Sequence, residues 1–403
     1  MEFLFVSLYP VWPGVMHSGG QDLFHLIAAL SARHTVHLAA FGAPDAAARL
    51  DEMHPWCQTV RLVTPAATWS AKLRSARRDP RPWRWGRRAH AEIAAHVSEM
   101  ARQVDIVQFV WTPMGRYARY APGAARVLDC VDVSFVVRDA ARRAARGPLA
   151  RWRAEVAYRR ARAREVGYAR ACHLALARSA RDAHALAAAA GGAVPVDVLP
   201  AYVEYGALRT IQPGEAEGDV VLFAGAMDRA RNVAAVTWFC RDVWPGVRAA
   251  RPGARFVIVG ARPTAGVQAL GALPGVEVTG EVADLRPWYA RCRVAVAPMQ
   301  SDAGTLAKIA EAMWAGRPVV ATTLANASIA APPGEALLVA DAPEAFAAAV
   351  ARLLGDADLW ARIAEGGRRF AEASLDWEGA LRRLERRYAA LAQGVRTKQQ
   401  GHG

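Results

Sequence analysis

Short apolar runs alternate with longer segments whose apolar residues recur every three or four positions. Residues 2–8, "EFLFVSL", form an apolar run with little alternation, as a strand buried on both faces would. After "YPVWPG" and Gly19-Gly20, "QDLFHLIAALSARH" has helical spacing, and "TVHLAAF" (35–41) reads as a second strand. A strand–helix–strand order implies a parallel pair. Further strands are expected at "TVRLV" (59–63), "DIVQFVW" (105–111), "RVLDCV" (126–131) and "HLALAR" (173–178), with Ala/Arg-rich helices separating some of them. The pattern breaks at "IQPGEAEGD" (211–219), rich in Pro, Gly and acid, and then restarts. Strands are expected at "VVLFAG", "RFVIVG", "VEVTG", "VAVAP", "PVVAT" and "ALLVA". Helices are expected at "NVAAVTWFCRDVWPGVRAARP", "DLRPWYARC" and "TLAKIAEAMWAG". Two rounds of alternation predict an α/β protein with two doubly wound, parallel-sheet Rossmann-like domains, 1–210 and 218–375, and a ligand crevice between them. A long amphipathic helix (377–393) follows, and the tail "GVRTKQQGHG" is expected to be disordered.

Composition narrows the class. Hydrophobic residues make up 53% and charged residues 22% of 403, enough for sizeable cores. No uncharged apolar run of membrane-spanning length occurs, and the first residues lack a basic leader and a small-residue cleavage site. The five cysteines are dispersed and odd in number, which suggests neither a disulfide framework nor a zinc site and points to the cytosol. The net charge is +14. Lys72–Arg88 holds eight basic residues and one acid, and Arg138–Arg170 holds eleven arginines against Asp139, Glu155 and Glu165. Such windows attract nucleic acid, anionic lipid or a phosphorylated substrate. Solvated faces of Ala/Arg helices are the plainer reading, and no nucleic-acid-binding signature accompanies them.

One lysine stands out. The chain has three, Lys72, Lys308 and Lys398, among 51 basic residues. Lys308 falls where a helix should begin, and the helix dipole disfavours a cation there. In "VAVAPMQSDAGTLAKIAEAMWAG" a strand ends, Gly304 permits close approach, and Thr305 can cap the helix. The free N–H groups of that helix start would receive a phosphate. Lys308 would reach the same anion, and Glu311, three residues on, would accept from ribose hydroxyls. A capped helix with a surface ion pair is the alternative.

At this point the chain resembles glycosyltransferase family 4, of GT-B fold. The matching stretches include "LFAGAMDRARNVAAVTWFC", "VEVTGEVADLRPWYARCRVAVAPM" and "AGTLAKIAEAMWAGRPVVATT", and they run through most of residues 219–375 in the expected order. "DIVQFVWTPMGRY", "DVSFVVRDAARRAARGPL" and "SARDAHAL" are similar more weakly. The resemblance implies transfer of a sugar from a nucleotide diphosphate-sugar to a glycan, lipid-linked or small-molecule acceptor, with retention and without a metal or other cofactor. Fixed positive groups must then stabilise the leaving diphosphate. It gives Lys308 that role, with Arg229 or Arg231 as the second cation and Asn232 and Glu281 as further donor contacts. Gly19 and Gly20 match a loop lying near the donor phosphates, though a plain strand-to-helix turn would also want glycine. From their places in the sequence, Asp132, just past a strand end, would act on an acceptor hydroxyl or cap a turn, and His17, beside the glycines, would touch acceptor or phosphate or lie on the surface. The last helix should return to the N-terminal domain. Lipid-linked acceptors would bring the two basic windows against an anionic membrane from its cytoplasmic side, and no nucleic acid is expected.

Departures from the family pattern are specific. Ala303 stands where a first glutamate is usual, and Leu306 stands where an arginine is usual. Val110 replaces a frequent acid, and "TTLANASI" lacks a glycine and an acid. An enzyme with an altered sugar pocket and a relative that binds nucleotide or partner without catalysis both fit that pattern.

Overall fold

A computed structural model describes residues 1–15, 18–64, 86–212, 215–300, 307–327 and 329–400. The chain divides into two compact units, Met1–Tyr202 with Trp377–Gly403, and Val203–Asp376.

The first unit holds β1 (Glu2–Ser7), α1 (Ser18–Ser31), β2 (Thr35–Phe41), a short α2 (Ala47–Asp51), β3 (Thr59–Val63) and α3 (Gly86–Met100). It continues with β4 (Ile106–Val110), β5 (Ala125–Cys130), α4 (Ser134–Ala144), α5 (Pro148–Arg170), β6 (Leu174–Ala177), α6 (Ala180–Ala190) and β7 (Val196–Val198). The sheet order is β3-β2-β1-β4-β5-β6-β7, and each described pairing is parallel. Unbroken apolar runs suit strands covered on both faces, and Phe3, Leu4, Phe5 and Val6 of β1 are all fully buried.

Gly19 and Gly20 lie in the first turn of α1, where a phosphate-side loop was expected. Packing explains Gly19. A Cβ there would sit 2.9 Å from Val131 Cγ1 and 3.0 Å from Trp111 Cζ2, so the helix can approach the sheet ends only without one. Trp111 itself has φ of 68°, a strained value for a bulky side chain.

The second unit holds β8 (Val220–Ala224), α7 (Ala230–Trp238), α8 (Trp244–Ala250), β9 (Arg255–Val259), α9 (Ala265–Leu270) and β10 (Val276–Gly280). It then runs through α10 (Arg286–Arg291), β11 (Val294–Ala297), α11 (Ala307–Trp314), β12 (Val319–Ala321), α12 (Thr323–Asn326), β13 (Leu338–Val339), α13 (Pro343–Gly355) and α14 (Ala357–Ser374). Its parallel sheet runs β10-β9-β8-β11-β12-β13. The helix expected over 232–252 carries a π-helical turn, Phe239–Val243, between α7 and α8. There the Trp244 N–H bonds back five residues to the Phe239 carbonyl, and Pro245, which has no N–H to donate, follows at once.

The final helix, α15 (Trp377–Gln400), belongs to the first unit and corrects the tail expectation. The stretch 394–400 is helical because its side chains find partners: Arg396 pairs with Asp105, and Gln399 Nε2 donates to the Gly123 carbonyl at 3.0 Å. Further up, Glu385 takes both Arg33 (2.8 Å) and His34 (3.2 Å), and Tyr388 is fully buried against Phe3. Among the described residues no helix is long and apolar enough to cross a membrane.

Candidate functional site

In the second unit, three strands end in glycines: Gly225 after β8, Gly260 after β9 and Gly280 closing β10. The backbone crowds there. A Cβ on Gly260 would fall 1.8 Å from the Gly225 carbonyl oxygen, and both residues adopt positive φ near 155°. Glycine is required at both positions for the turn after β8 to fold over the end of β9.

That turn leads into α7, whose Asn232 is buried. Its Nδ2 donates to the Ala226 carbonyl at 2.9 Å, which holds the turn and aims Oδ1 outward at Lys308. Lys308, the second residue of α11 as described, lays its stem over Gly225. Its Nζ lies 3.5 Å from Asn232 Oδ1 and 4.8 Å from the Phe223 ring centroid, a cation–π contact.

Electrostatics set this lysine apart. Burial pushes its pKa down to about 8; Glu311 opposes that shift and Arg231 adds to it. Glu311 is half-buried one turn on, and burial raises its pKa. Its Oε2 accepts from the Tyr289 hydroxyl at 2.7 Å, so the carboxylate is held by a neutral donor and makes no ion pair with Lys308. Tyr289, fully buried, is fixed in turn by Arg317, whose guanidinium donates to the carbonyls of Tyr289 (2.9 Å), Ala290 (2.7 Å) and Gln212 (2.9 Å). The arrangement is a partly desolvated cation with a glycine turn beneath it and one weak amide acceptor. A multiply charged anion would supply the counter-charge that is missing among the described residues.

The structure therefore brings together Lys308, Glu311, Asn232 and Arg231, the last half-buried and close enough to depress Lys308. Arg229 is exposed at the N-cap of α7. Glu281 is exposed just past β10 and acts on Arg262, which pairs with Asp228 at 2.7 Å. Asp132, in the first unit, is exposed in the bend after β5. Gly304, Thr305 and the departures Ala303 and Leu306 lie outside the described residues, as does His17. Sequence reading missed Tyr289, Phe223, Gly260 and Arg317. "DLRPWYARC" reads as an ordinary amphipathic segment, and nothing local marks its tyrosine as the partner of a glutamate 22 residues on.

Residues 218–356 match the family model described as glycosyl transferases group 1. No curated protein sequence matches the chain. Among solved structures, HepE of Anabaena in complex with UDP is 15% identical, with 97% of this chain and 100% of that one covered and a TM-score of 0.67. Sucrose-phosphate synthase of Thermosynechococcus elongatus is 17% identical over 98% and 99% of the two chains, with a TM-score of 0.68. The α,α-trehalose 6-phosphate synthase of Burkholderia multivorans is 13% identical over 99% and 98%, with a TM-score of 0.62. The fold is that of the GT-B glycosyltransferases, with parallel Rossmann-like sheets of seven and six strands.

Proposed function

We propose that this chain is a glycosyltransferase, of family-4 type, that takes a sugar from a nucleotide diphosphate-sugar and passes it to a glycan, lipid-linked or small-molecule acceptor. The observation that carries the reading is Lys308, a cation held half-buried without an ion pair among the described residues, inside the segment that matches glycosyl transferases group 1. Lys308 and Arg231 bind the diphosphate and offset the charge that builds on it as the glycosidic bond breaks, the task a metal would otherwise perform; retention at the anomeric carbon is part of the same proposal and rests on the family resemblance alone. Glu311, oriented by Tyr289, takes ribose hydroxyls. Arg229 and the N–H groups at the start of α7 add to the phosphate field. Acceptor binding falls to the first unit, with Asp132 at the hydroxyl. The five cysteines are buried and unpaired, which fits a reducing cytoplasm.

A second reading, a nucleotide-binding relative without transferase activity, is favoured by Ala303 and Leu306 at positions where the family has charge. A thermal-shift panel with nucleoside diphosphates and their sugars, followed by a hydrolysis assay on each sugar that binds, separates the two. A bound ligand at a hundred times its Kd stabilises by about 2.7 kcal/mol. Binding with turnover supports the enzyme, and binding without turnover supports the relative. No shift with any diphosphate sinks both.

A further inference from the structure

The three most exposed large apolar side chains among the described residues belong to one helical hairpin: Trp152 (64%), Leu149 (59%) and Val137 (50%). The hairpin, α4 and α5, is pinned at its base. Glu165 of α5 is buried and accepts the backbone N–H groups of Ser134 (3.2 Å) and Phe135 (3.1 Å) as well as the Ser134 hydroxyl, closing the start of α4. Midway, Arg142 bonds Asp139 and lies 5.0 Å from the Tyr158 ring centroid. The other end is bare. Residues 146–153, "RGPLARWR", are exposed without a break, so the first turn of α5 has no covered side.

Leu149 and Trp152 are three apart and share one face of that turn. Arg146, Arg151 and Arg153 surround them. Arg151 spends one N–H on the Ala145 carbonyl at 3.2 Å, while Arg146 and Arg153 have no acidic partner among the described residues. A soluble surface gains nothing from a tryptophan and a leucine raised on a protruding turn among uncompensated arginines. An anionic bilayer matches each part: its headgroups take the guanidiniums, and its interfacial region takes Trp152 and Leu149. A nucleic acid would use the arginines and leave Leu149 without a role. We infer that the α4–α5 tip docks this protein on an anionic membrane surface, with Leu149 and Trp152 as the inserted residues. The site shares no residue with the Lys308 cluster, so it stands or falls independently of the sugar-transfer reading.

The test is co-sedimentation of the full chain with phosphatidylcholine vesicles, with and without phosphatidylglycerol. Wild type should bind the anionic vesicles, release them as salt rises, and bind zwitterionic ones far less. Leu149→Ser/Trp152→Ser should lose about tenfold or more in partitioning while keeping its thermal midpoint and its nucleotide-diphosphate shift. A second readout avoids the double variant. The five native cysteines are buried, so a Leu149→Cys chain labelled with an environment-sensitive dye reports that position, and its emission should shift blue on anionic vesicles. No binding to anionic vesicles at low salt, an unmoved dye, or equal partitioning of the serine variant overturns the inference. Duplex DNA binding of matching salt response that survives the serine changes would assign the patch to nucleic acid and overturn it as well.

Discussion

Arg178, buried in the first unit, and Lys308, half-buried in the second, are treated in opposite ways. Arg178 in the first unit is over-neutralised. Its Nη2 donates to Asp129 at 3.1 Å, its Nε lies 3.4 Å from Asp22, and its Nη1 donates to the Leu199 carbonyl at 3.3 Å. Gln108 donates to the same Asp129 at 3.2 Å and accepts from the Tyr388 hydroxyl at 2.5 Å. With two carboxylates for one guanidinium, burial raises Asp22 to about 6 even though Arg178 pulls it down. Lys308 in the second unit is under-neutralised, and it is the lysine that shifts, down to about 8. A buried charge enclosed by opposite charge is holding a fold together. A buried charge left short of partners is placed for something that arrives.

The comparison breaks most visibly at Asp129. Asp129→Asn leaves Arg178 facing Asp22 across a longer contact and should destabilise the chain by about 3–5 kcal/mol, read by denaturant unfolding. The matching change in the second unit should have the opposite sign. Lys308→Met removes a desolvated charge that has no ion-pair partner among the described residues, so stability in the absence of ligand should hold or rise by about 1–2 kcal/mol. The same variant should bind nucleoside diphosphates more weakly by about 1.5–3 kcal/mol, read by calorimetry. If Lys308→Met unfolds the second unit, the lysine is structural and the contrast fails.

pH sharpens the contrast because the two signs can be worked out. The folded-state value of Lys308 lies below its ordinary 10.5, so its protonated form costs stability at neutral pH, a cost that fades as pH rises from about 8 to 10.5. Diphosphate affinity should fall over the same rise as Lys308 loses its proton, and Lys308→Arg should flatten that fall. Asp22 has its folded value raised above 3.8, so its contribution is fully present below about 4 and is lost as pH rises through about 6. Asp22→Asn should therefore stabilise at pH 7 by about 1–2 kcal/mol and remove that slope. The smallest effect belongs to Tyr289→Phe, which frees Glu311 and should cost nucleoside binding about 1 kcal/mol, with bare diphosphate less affected.

The two networks also differ in how far they could be read along the chain. Lys308 and Glu311 lie in one segment whose strand–turn–helix pattern is local, so residue type and spacing expose them, while Asn232 comes only with the family resemblance. Arg178 is one arginine among dozens, and Asp22, Asp129 and Tyr388 are scattered across the chain. What joins them is sheet topology, which brings β1, β4 and β5 side by side. The parallel strands were legible because both of their faces are buried, and unbroken Val/Leu/Phe runs announce that. The last helix was read short because "GVRTKQQ" is polar and carries no periodicity, and its order comes from partners such as Asp105 and Gly123 far back in the chain. The glycines at 19 and 20 are ambiguous for a related reason: a glycine needed for close helix packing and one needed for a loop look alike in one dimension.

The placement of α15 bears on how the molecule is made. The first unit is interrupted by the whole of the second, and its fully buried Tyr388 is synthesised after residue 376. During translation the later unit can close on itself while the earlier one still waits for a helix that caps its sheet. A ribosome stalled with Asp376 just clear of its exit tunnel and α15 still inside would carry a finished second unit and an unfinished first one. Nascent-chain proteolysis at that length should accordingly cut residues 1–202 and spare 203–376.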